Sequence, residues 1–130
     1  MNVALEFHDS EVDCIESRPE STAVHFSKAY FHHSIGRPGI DSGLGYQQAA
    51  ILVFSGARCS GLSDDCSGTI SDGSMTVDGR PYPLLPIPFG AAGAVAAEIQ
   101  FSNGATLAIS ATSVALRLMG EPVLLDRFDA

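Results

Sequence analysis

The sequence has no tryptophan and a single lysine, Lys28, and its 7 basic residues face 15 acidic ones, for a formal charge of −8 over 130 residues. So acidic a balance argues against nucleic acid or an anionic membrane surface as a partner. No apolar run approaches the roughly 20 residues that a membrane-spanning helix needs. The opening Met-Asn-Val-Ala-Leu-Glu-Phe lacks a basic stretch followed by a long apolar one, so no secretory signal is expected. Cysteine is scarce and odd in number, at 3, which predicts reduced thiols and a cytoplasmic setting. Charge is low (17%) while apolar residues make up 45%, which excludes a disordered chain and suits one globular domain over residues 1–130.

Helical periodicity is the next absence. The dominant period is two. Val3, Leu5 and Phe7 alternate with polar or small neighbours, then His8-Asp9-Ser10 supplies turn formers and Val12, Cys14 and Ile15 resume. Val24 and Phe26 share one face of a strand over 22–27, and Tyr30, Phe31, His32 and His33 predict a further strand over 28–34. Residues 35–45 hold four glycines and a proline and read as a long irregular connection. Residues 46–58 predict a strand buried on both faces. Asp72-Gly73, Asp78-Gly79 and Asn103-Gly104 are hairpin signals, because both central residues of a type I′ turn need φ > 0. Val95, Ala97, Ile99 and Phe101, then Leu107 and Ile109, then Val114, Leu116 and Leu118 predict a three-stranded meander. The tail after Gly120 reads as a docking turn or an edge strand. Together these features predict an all-β domain: an antiparallel sandwich or flattened barrel of about 8–10 short strands with little or no helix.

Five places hold residues capable of chemistry. His8 and Asp9 put an imidazole beside a carboxylate, although adjacent strand residues point to opposite faces and cannot form a relay with Ser10. His25 and His33 would meet if strands 22–27 and 28–34 paired, and two imidazoles with an Asp or Glu suffice for zinc or iron. Cys59 and Cys66, with Asp64 and Asp65 between them, lack the short spacing and second pair of a zinc knuckle. The glycine-rich 36–45 loop lacks the lysine and following helix of a phosphate cradle, which leaves Arg37 as its one anion-binding group. Residues 81–88 carry alternate prolines that cannot donate to a ladder, and Tyr82, Leu84, Leu85, Ile87 and Phe89 make the strip apolar. Such a strip either covers the core or forms a contact surface.

Leu5-Glu6-Phe7-His8-Asp9-Ser10 resembles the opening of small bacterial single-domain β proteins, some toxin-immunity proteins among them, whose first strand ends in His-Asp-Ser. Gly36-Arg37-Pro38-Gly39-Ile40-Asp41 and Leu118-Met119-Gly120-Glu121-Pro122 fit the same pattern. The resemblance implies a compact β protein of the bacterial cytoplasm and carries over no catalytic residue. The expectation is a non-enzymatic domain without a cofactor that binds a protein partner or a second copy of itself, with Tyr82, Leu84, Leu85, Ile87 and Phe89 at the contact. The alternative is a small-ligand or metal site in a barrel mouth, built from His8, Asp9, His25, His33 and Arg37, supporting metal-assisted hydrolysis or isomerisation.

Overall fold

The computed structural model describes residues 1–129, and none of these is helical. Nine strands form: β1 (Asn2–Arg18), β2 (Ser21–Ser34), β3 (Gly43–Ser55), β4 (Arg58–Ser60), β5 (Gly68–Val77), β6 (Arg80–Pro81), β7 (Leu85–Pro86), β8 (Gly90–Phe101) and β9 (Thr106–Phe128). They make one antiparallel sheet in the order β6-β5-β8-β9-β3-β2-β1-β7, with β4 on β9. A further pairing of β5 with β1 closes six of them into a ring. The all-β expectation, an antiparallel sandwich or flattened barrel, therefore holds. The main strands are longer than the short ones expected.

Alternation explains the core. On β2, Val24, Phe26, Ala29 and Phe31 turn inward, and on β8 Val95, Ala97, Ile99 and Phe101 do the same. Phe7, Phe31 and Phe54 are fully buried and fill the interior with aromatic volume, so the barrel is packed rather than hollow.

Local departures from the expected strands have physical causes. His8-Asp9-Ser10 is a bulge inside β1, not a strand end: pairing jumps from Glu6↔Tyr30 to Glu11↔Lys28, with Asp9 at φ 69. Buried Ser10 replaces the lost ladder bonds, its hydroxyl donating to the Glu6 carbonyl (2.6 Å) and accepting the Tyr30 N–H (2.9 Å). Residues 22–27 and 28–34 do not pair with each other. They form one strand, β2, in which exposed Ser27 and Lys28 make a bulge against β3 rather than a turn. Asp72-Gly73 is also not a hairpin. Neither residue has positive φ, and β5 continues through them, with Asp72 and Gly73 paired to Gln100 and Ile99 of β8; a side chain at position 73 would lie 2.6 Å from the Cβ of Phe7, so glycine stands there. Asp78-Gly79 does turn the chain, at φ 50 and 79, and the bend at Asn103-Gly104 joins β8 to β9. The third strand of the expected meander is the continuation of β9, which leaves β4 at Ser110 and runs along β3 from Ser113.

The proline strip spans one end of the barrel. Leu85 and Pro86 pair with Leu5 and Ala4 on β1, the Ile87 N–H donates to the Val3 carbonyl, and the Phe89 carbonyl accepts the Leu116 N–H of β9. It thus bridges the β1 and β9 edges where β5 and β8 are too short to do so.

Candidate functional site

The histidines and their expected partners do not converge. His25 and His33 sit eight residues apart on one strand, roughly 25 Å at the rise of extended chain. They also face opposite ways, since His25 alternates with Val24 and Phe26 while His33 shares the face of Phe31. The shared metal site expected of them is therefore not formed, because the paired strands it required are one continuous strand. Among the described residues no three His, Cys, Asp or Glu side chains are grouped to hold a metal ion.

Each residue instead has a local partner. His25 Nε2 is buried with Glu16 Oε1 2.5 Å away. His33 stacks on Tyr46 at 4.1 Å between ring centres, and burial lowers its pKa below 6.5. Arg37 is held within its own loop by Asp41, Nε to Oδ2 at 3.2 Å, and this bond lowers the Asp41 carboxyl pKa. Exposed His8 and Asp9 meet at 3.3 Å, Nδ1 to Oδ2. His8 lines a cleft of about 470 Å³ between β1 and β5, together with Glu6, Asp72 and Tyr82. The cysteines are free. The Cys14 thiol is raised above its ordinary pKa by desolvation first, then by Asp13 and Glu16, which opposes a nucleophilic role.

A polar row that the sequence did not announce crosses the outside of β1, β2 and β9. Glu6 Oε2 lies 3.0 Å from His32 Nε2, His32 meets the Tyr30 ring edge-on, and the Tyr30 hydroxyl donates to Asp126 Oδ1 at 2.9 Å. Gly45 on β3 makes the last contact feasible, because any side chain there would strike both Tyr30 and Asp126. Burial is the first cause of a Tyr30 pKa pushed up to about 12, and the Asp126 hydrogen bond is the second.

Two of the five apolar strip residues are interior. Leu85 is 0% and Phe89 7% exposed, while Tyr82, Leu84 and Ile87 are half-buried. Tyr82 packs edge-on against Phe89 and carries the Arg80 guanidinium 5.1 Å from its ring centre. Leu85 and Phe89 are therefore core side chains rather than a contact surface.

Of the nine exposed large apolar side chains among the described residues, five lie elsewhere, together on the last part of β9. Pairing with β8 ends at Ala115, and beyond Leu116 that edge of β9 has no neighbouring strand among the described residues. Along the same stretch Leu118 (43%), Met119 (46%), Val123 (60%), Leu124 (56%) and Leu125 (45%) are exposed. Leu118 pairs with Ala50 and Met119 with Ala49, so the two point to opposite faces. Both faces and one edge of this overhang are uncovered. The signal was present in the sequence as two runs of adjacent apolar residues, Leu118-Met119 and Val123-Leu124-Leu125, which break the alternation that one-sided burial produces. Comparison of the chain with protein-family models, with curated proteins and with solved structures finds no match to any of them.

Proposed function

We propose that this protein is a non-enzymatic binding module that docks another polypeptide on the β9 overhang, residues 117–128. The observation that carries this reading is the exposure of five large apolar side chains on a strand whose outer edge is open. Single exposed apolar residues are ordinary on a protein surface, but a contiguous group on both faces of an unpaired edge is a contact surface. A polypeptide laid along this edge would cover the leucines of both faces together. The filled interior, and the dispersal of the histidines to separate local partners, also favour binding over catalysis.

The test is site-specific photo-crosslinking in cells that make the protein. A crosslinker at Val123 is expected to give polypeptide adducts, and the same group at exposed Ser74, on β5, is not. Equal labelling at both positions, or none at Val123, would overturn the reading.

A further inference from the structure

The structure assigns the occupant of the overhang to a second copy of this chain, related by a two-fold axis near Gly120–Pro122; this rests on the docking reading above. Three observations lead there. First, the charge of the overhang does not match that of the molecule. The chain carries −8, so copies repel over most of their surface. Residues 117–128, however, hold Arg117 and Arg127 against Glu121 and Asp126, a balanced set. A basic partner would be drawn to other parts of this surface, whereas two copies meet here at least electrostatic cost.

Second, the order of residues is self-complementary under reversal. Arg117 and the Leu118-Met119 pair precede Gly120, and the Val123-Leu124-Leu125 run and Asp126 follow Pro122. Reversing one strand beside the other brings the apolar pair of each copy to the apolar run of its mate. It also brings each Arg117 toward the other copy's Asp126. An isologous contact requires this property, in which a patch complements itself. Gly120, at φ 67 with nothing within 4 Å of where a side chain would begin, allows close approach at the centre.

Third, the contact is bounded. The overhang lies along nine residues of β3, Gly43 to Ile51, about 30 Å of strand. Over two faces each about 5 Å wide and an open edge about 10 Å thick, this offers roughly 600 Å² per copy, the lower limit for a specific interface. Pro122 lacks an N–H, and the register is broken on either side of Gln47, so no continuous ladder forms there. Side-chain packing carries the contact, and the pair closes without templating further copies.

Sedimentation equilibrium of the purified, reduced full chain tests this directly. The expected mass is twice the 13.6 kDa of one chain. Leu124→Asp is expected to weaken association by about a hundredfold, because a two-fold contact carries each substitution twice. Its thermal midpoint, measured at a concentration where both proteins are monomeric, should match wild type. Val123→Lys, at the most exposed of the five positions, serves as the second variant should Leu124→Asp misfold. In a Cys14→Ser background, Glu121→Cys is expected to crosslink to its own copy under mild oxidation, and Ser74→Cys is not. A wild-type monomer at sub-millimolar concentration overturns the second copy. If Val123 then still photo-crosslinks to a polypeptide of another mass, the docking reading stands without it. A dimer that both charged variants leave intact overturns the second copy at the overhang, and absence of Val123 adducts then overturns the docking reading with it.

Discussion

At the residue scale, the structure replaces the expected histidine cluster with a set of local pairings, of which Tyr30–Asp126 has the sharpest chemical signature. The Tyr30 phenol is held up at about 12, above its ordinary 10, by burial first and by Asp126 second. Since the folded pKa lies above the unfolded one, the protonated phenol stabilises the fold fully below pH 10. That contribution is lost as pH rises from 10 toward about 12. Ultraviolet titration of phenolate formation checks this, with Tyr30→Phe subtracting the other two of the 3 tyrosines. The Tyr30 midpoint should fall toward 10 in Asp126→Asn without reaching it, because burial remains. A midpoint unchanged by that substitution would show that the hydrogen bond does not form. The pairing was hidden in the sequence, since 96 residues separate its partners and only the β2-β3-β9 register joins them across Gly45.

At the element scale, what could be read in advance followed from period and turn chemistry, and what could not depended on neighbours. The alternation of β8 and the turns at Asp78-Gly79 and Asn103-Gly104 are local properties, and they appear where expected. The His8-Asp9-Ser10 and Ser27-Lys28 bulges carry the same polar residues as turns. Only the pairing of β1 with β2 and of β2 with β3 decides that the chain continues through them. The proline strip divides in the same way: its exclusion from a ladder interior was legible, but the burial of Leu85 against β1 depends on a barrel end left open by short strands. Leu85→Ala should therefore cost about 2–5 kcal/mol of stability, as for other fully buried leucines. Urea unfolding at a concentration where the protein is monomeric measures it. A loss below about 1 kcal/mol would mean that the strip lies on the barrel without sealing it.

At the scale of the whole molecule, charge opposes the fold that alternation builds. There are 15 acidic residues, and among the described residues arginine meets a carboxylate only in Arg18–Glu16 and Arg37–Asp41, both solvent-exposed. Exposed pairs of this kind contribute little, so repulsion among the remaining carboxylates sets the sign of the salt response. Added salt shortens the reach of that repulsion from about 30 Å at 0.01 M to about 3 Å at 1 M. The thermal midpoint of Leu124→Asp, which isolates the monomer, should therefore rise with sodium chloride. A gain of about 1 kcal/mol would appear as roughly 4 °C in a domain of this size. A midpoint that fell with salt would mean that attractive pairs outweigh the repulsion, and the balanced charge of the overhang would then lose its distinction from the rest of the surface. Wild type should show the same rise plus a concentration-dependent part, because association adds to stability by mass action. The difference between the two salt curves separates what the barrel gains from relaxed repulsion and what the overhang gains from its mate.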